Sequence, residues 1–161
     1  MAHSDMKSAA LPRNDRTASP GAALTAIAGS INVLLDRGRQ DLAQKLAVTA
    51  ARRFPDSPAL ANLLEKAMSC VTNLPLVENI YREVLRSPRA CPGHYYHLAM
   101  FQKRAGDLAK MKRVFSDLLR CRDRAELIHV YIAACTLDKY GLAFETAERV
   151  IGSPGRENVL S

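Results

Sequence analysis

The chain has 161 residues, enough for one domain, and its 48% hydrophobic and 24% charged residues are an ordinary globular balance. No Trp, with only eight each of Gly and Pro, excludes collagen-like and broadly disordered classes. The formal net charge of +7 favours acidic partners, whether protein, nucleic acid or an anionic surface.

Residues 1–21 are polar and broken by Pro12 and Pro20, without the apolar core of a secretory signal. They are expected to be a flexible lead-in, and the protein is expected to be cytoplasmic. From residue 22 to 151 apolar residues recur at helical spacing, with no useful strand alternation. No apolar run approaches the roughly 18 residues that span a bilayer. The breaks come in order at Arg37-Gly38-Arg39, Phe54 to Pro58, Asn73-Leu74-Pro75, Ser87 to Pro92, and Gly106-Asp107. Each supplies a Gly stop or a Pro at which a new helix can begin. The last expected helix, Leu142 to Ile151, carries more apolar surface than one neighbour would cover, through Leu142, Phe144, Ala147, Val150 and Ile151. The tail, residues 152–161, is too short and broken to cap an array.

The breaks define short paired helices. Frames beginning at Leu24, Pro58, Pro92 and Glu126 lie 34 residues apart. The third places Tyr95, Leu98 and Ala99 on its first helix, Gly106-Asp107 at the turn, and Met111 and Phe115 on its second helix. The first frame has Gly38, Ala43, Ala50 and Pro55; the second has Leu64, Val77, Tyr81 and Val84 in register. The fourth holds Ile132 and Ala133 and then slips, with Gly141 and Ala147 one or two residues late. From about Leu24 to Ile151 the sequence resembles the tetratricopeptide repeat family. Several signature sites are substituted, with Ser30 for Leu, Glu65 for Gly and Gln102 for Tyr.

That resemblance implies an all-α fold, an α-solenoid of about four antiparallel helix–turn–helix repeats. It also implies a groove lined by the first helix of each pair. The family's inward offsets fall on Thr25, Ala28 and Asn32; Ala59, Asn62, Lys66 and Ser69; Tyr96, Met100 and Lys103; and Leu127, Val130 and Ala134. The candidate partner-binding residues are Asn32, Asn62, Lys66, Tyr96, Met100 and Lys103. They suit a peptide with an acidic residue and an apolar anchor, so reversing Lys66 and Lys103 is expected to abolish such binding. Ala28, Gly93 and His97 stand where the chaperone-binding members carry the cations of their carboxylate clamp, so a chaperone tail is not expected.

Catalytic chemistry finds little support. There is no nucleophile elbow, P-loop or Gly-rich dinucleotide turn. Cys91-x-x-His94-x-x-His97 offers zinc-type ligands, and Cys121 could add another, but the two ligand pairs of a zinc finger are absent. Cys70, Cys91, Cys121 and Cys135 lack paired spacing and are expected to be reduced, buried thiols. No cofactor or metal is expected.

Nucleic acid is less favoured than protein. Ala28, Asn62, Tyr96 and Val130, the sites where a one-base-per-repeat reader needs similar polar residues, do not resemble one another. From Phe101 to Ala125 eight cations stand against three carboxylates, and this basic stretch reads as a solvated face. The expected function is a non-catalytic protein–protein interaction module, an adaptor, scaffold or chaperone-like protein. It would bind in the groove or at the C-terminal end, where self-association through the last helix is one outcome. An accessory repeat domain of an enzyme or secretion assembly is the alternative, and a basic nucleic-acid binder is the second.

Overall fold

A computed structural model describes residues 19–152. They form eight α-helices: α1 (Pro20–Asp36), α2 (Gln40–Arg53), α3 (Pro58–Met68), α4 (Leu74–Leu85), α5 (Gly93–Arg104), α6 (Leu108–Arg120), α7 (Leu127–Thr136) and α8 (Tyr140–Ile151). No strand occurs among the described residues. Helix α1 begins at Pro20, so Pro20 and Gly21 are helical rather than part of a lead-in; residues 1–18 and 153–161 lie outside the described residues.

Local chemistry sets most of the boundaries. The side chains of Ser19, Ser57, Asn73 and Asp107 each accept a hydrogen bond, at 3.2 Å, from the amide three residues on. They thereby satisfy donors that the first helical turn leaves unpaired. Proline follows closely in α1, α3 and α4, where its missing N–H costs nothing.

Three of the four intrapair turns share one geometry. Gly38 (φ 69), Gly106 (φ 80) and Asp138 (φ 57) adopt the left-handed conformation. In each case the next amide reaches back five residues, Arg39 to Leu34, Asp107 to Gln102 and Lys139 to Ala134, at 2.8–2.9 Å. These are Schellman closures, and they fold the following helix back against its predecessor. The second helices begin at Gln40, Leu74 and Leu108, 34 residues apart (74 − 40 and 108 − 74), and at Tyr140, 32 further on.

The second pair lacks this closure. Thr72 occupies the position equivalent to Gly38 and Gly106, and a β-branched residue strongly resists positive φ. The chain instead runs open from Ser69 to Asn73, and α3 and α4 are the one consecutive pair that scarcely approach each other. Helix α3 packs on α1, α2 and α5.

Helices α1, α3, α5 and α7 touch in succession, whereas α4 and α6 do not approach closely. The core runs between the layers, with Ile31, Leu64, Tyr81, Leu98 and Phe115 at most 2% exposed. Each such side chain contributes about 1.5–3 kcal/mol through burial. Alanines 43, 47, 50, 51 and 99 let neighbouring helices close up, and all are buried.

Candidate functional site

The face expected to form a groove is partly consumed by packing. His97 on α5 is 8% exposed, and its Nε2 lies 3.1 Å from Oδ1 of Asn62 on α3. With Oδ1 as acceptor, the neutral imidazole carries its proton on Nε2 and donates it. Tyr96 stacks on His129 of α7, with centroids 4.0 Å apart and planes 10° from parallel. The structure thus brings Asn62 and Tyr96 into one cluster around His97 and His129. Met100 is half-buried against the core. Asn32, Lys66 and Lys103 are exposed, and their side chains have no partner among the described residues. Val130 and Ala134, expected at the apolar end of the lining, are core residues at 3% and 0% exposure.

Burial holds these histidines neutral. The His97 pKa is pushed down to about 4, first by desolvation, then by His129, His94 and Arg104. His94 is fully buried and also pushed down to about 4 by desolvation. The Pro55 carbonyl counters that shift, but it already accepts from the Cys91 amide at 2.7 Å. No group of three His, Cys, Asp or Glu residues lies at metal-holding distance among the described residues. The four cysteines are free, but Cys70 is exposed and Cys121 and Cys135 half-exposed, so only Cys91 fits the expected buried thiol.

A cleft not expected from the sequence opens on the opposite layer, where α4 and α6 stand apart. Its floor is α5, with Tyr95, Leu98 and Gln102; its walls carry Arg82 and Arg86 on one side and Lys110 and Arg113 on the other. It encloses about 540 Å³. A second section of about 260 Å³ shares Leu85, Tyr95 and Asp117 and adds Arg120 and Arg124. Among the described residues, six cations and one carboxylate, Asp117, line the two sections together.

Two of those cations are engaged. Lys110 Nζ lies 3.3 Å from Glu78 and 3.5 Å from Asp107, and Arg120 lies 3.3 Å from Asp117. The guanidinium groups of Arg82, Arg86, Arg113 and Arg124 have no hydrogen bond or ion pair among the described residues. Gln102, standing at a signature Tyr site, is fully buried and donates to Glu78 at 3.4 Å, while its Oε1 has no donor. Burial pushes the Tyr95 phenol up, so it is neutral at physiological pH.

The signal for this cleft was present but divided. Arg82 of α4 and Arg86, which caps that helix, are spaced i, i+4, and Lys110 and Arg113 i, i+3 on α6, so each pair shares one helix face. Only half of it lies in the basic stretch from Phe101 to Ala125.

A third surface is apolar. Tyr140, Phe144 and Ile151 on α8 are 67%, 69% and 73% exposed, and they recur at helical spacing along one side. Ile128 and Tyr131 of α7 are exposed as well. No described helix is long and apolar enough to cross a membrane.

Compared with family models, with curated proteins and with solved structures, the chain matches none.

Proposed function

We propose that this chain is a non-catalytic protein-interaction module, built as a tetratricopeptide-like array of helix pairs, which binds a partner protein through the apolar side of α7–α8. The observation that carries this reading is the stripe Tyr140, Phe144 and Ile151, each about two-thirds exposed or more. Large apolar side chains left in water along one helix mark a surface that gains free energy when covered. Each one buried contributes roughly 1.5–3 kcal/mol.

The repeat architecture is supported by the 34-residue spacing of the first three second helices and by the shared closures at Gly38 and Gly106. A binding rather than catalytic role is supported by the state of the titratable groups. His97 and His129 pack on each other and on Tyr96, His97 also bonds Asn62, His94 packs on Tyr81, and none of the three lines the cleft between α4 and α6.

The test is light scattering across a concentration series, with affinity capture of full-length protein and of its Phe144→Glu variant in parallel. Self-association, or a captured protein, that the variant loses supports the reading. A strictly monomeric protein whose captured partners are the same with and without Phe144 removes it.

A further inference from the structure

We infer that the cleft between α4 and α6 is a docking site for an acidic, amphipathic segment of a partner protein, one whose carboxylates alternate with apolar side chains. The surface is separate from the apolar side of α7–α8, and its occupancy does not depend on that face.

The cleft has two chemistries in layers. Leu98 of the floor, with Leu85 and Val114 at the feet of the two walls, gives it an apolar base. Above them stand Arg82, Arg86 and Arg113, whose guanidinium groups are unpaired among the described residues. Arginine is the cation suited to carboxylate recognition, because its planar fork presents paired donors. Arg82 and Arg86, one helical turn apart at the C-terminal end of α4, line one wall, and Arg113 of α6 lines the other. Spread charges of this kind match several single carboxylates along a chain better than one phosphate dianion. An extended segment with alternating acidic and apolar residues presents carboxylates on one face and an apolar surface on the other. That matches the rim and the floor.

Nucleic acid fits less well. Sequence-tolerant single-strand binding uses a succession of aromatic platforms for the bases. Tyr95 is the one aromatic residue lining either section of the cleft, and it is half-buried. The rim already pairs Arg120 with Asp117 and Lys110 with Glu78, and a carboxylate-bearing guest extends that pattern.

The experiment uses the full chain and a fluorescein-labelled peptide of alternating Glu and Leu, followed by fluorescence anisotropy, with single-stranded oligo-uridine as the competing probe. The peptide should bind in low salt and weaken as salt rises. The Arg82→Glu/Arg113→Glu variant should lose about tenfold or more in affinity. Its milder form, Arg82→Gln/Arg113→Gln, should lose less and guards against misfolding by the reversed charges. Lys66→Glu/Lys103→Glu changes net charge by the same amount on the α3–α5 face, where the repeat resemblance expects an acidic peptide; with the cleft as the site it should lose less than about threefold, against the abolition that the groove expectation requires. Phe144→Glu should bind the peptide as the unmodified chain does, so failure here is distinguishable from failure of the α7–α8 reading. No binding up to about 1 mM peptide overturns the inference. So does a loss confined to the lysine variant, and so does oligo-uridine binding more tightly than the peptide through the same arginines.

Discussion

The imidazole of His129 on α7 lies flat against the ring of Tyr96 on α5, 4.0 Å between centroids and 10° from parallel. His97, one residue along α5, meets the same imidazole edge-on at 6.1 Å and bonds Asn62 on α3. One row of side chains therefore ties α3, α5 and α7 together. Asn62 and Tyr96, two positions that the repeat pattern assigns to ligand contact, also join successive helices, and three consequences can be measured alongside the association of α7–α8.

The first concerns acid. His94 and His97 have folded pKa values of about 4, against 6.5 for the free side chain. The unfolded chain therefore takes up protons first as pH falls. Stability is fully present above about pH 6.5 and is lost as pH drops toward 4, by about 3 kcal/mol for each histidine. Asp56, held low by Arg89, adds acid sensitivity only below the 3.8 of a free Asp. Thermal melts should be flat from about pH 8 to 6.5 and then fall. His94→Leu should make that fall shallower, and an unchanged slope would show that burial of His94 is not its source.

The second concerns buried polar atoms. The hydroxyl of Tyr81 is buried without a partner, and burial pushes its pKa far up. Its ring packs on Phe101 at 5.8 Å and on His94 at 6.1 Å. Tyr81→Phe keeps the packing and removes the orphaned group, so chemical denaturation should find it neutral or more stable by up to about 1 kcal/mol. Tyr81→Ala should cost about 3–5 kcal/mol. A destabilised Phe variant would mean that the hydroxyl has a partner.

The third concerns the turns. Gly38→Ala and Gly106→Ala must hold φ near +69 and +80 with a Cβ present, although nothing lies within 4 Å of that Cβ. Each should cost about 1 kcal/mol in urea unfolding. Gly29→Ala in the interior of α1, also with open space around its Cβ, should stabilise by about 1 kcal/mol. The sign separates conformational strain from crowding.

The fourth follows from α8. Phe144 is 69% exposed, so Phe144→Glu should leave the melting temperature within a few degrees of the unmodified chain while reducing association. A large drop in melting temperature would place Phe144 in the core.

Much of the fold was legible because it is written locally. Caps at Ser57, Asn73 and Asp107, prolines at helix starts, and Gly38 and Gly106 at reversals act through a few neighbouring bonds. Gly141, late against the repeat in the fourth frame, lies inside α8 and does not make the last turn. Asp138 takes the left-handed conformation there instead, as short polar side chains can. The open second pair was harder to read, since it follows from the absence of a glycine at Thr72.

By itself the sequence determined the helices, their starts and stops, their pairing period and the excess of positive charge, all properties of neighbouring residues. Which faces meet was decided by tertiary packing. Asn62, His97, Tyr96 and His129 come from three helices and acquire a shared role only when α3, α5 and α7 are side by side. Arg82 and Arg113 are unremarkable on separate helices; they become two walls of one cleft because α4 and α6 stand apart over α5. Helical periodicity fixes which residues share a side of one helix, but the distance between helices depends on how side chains remote in sequence fill the space between them.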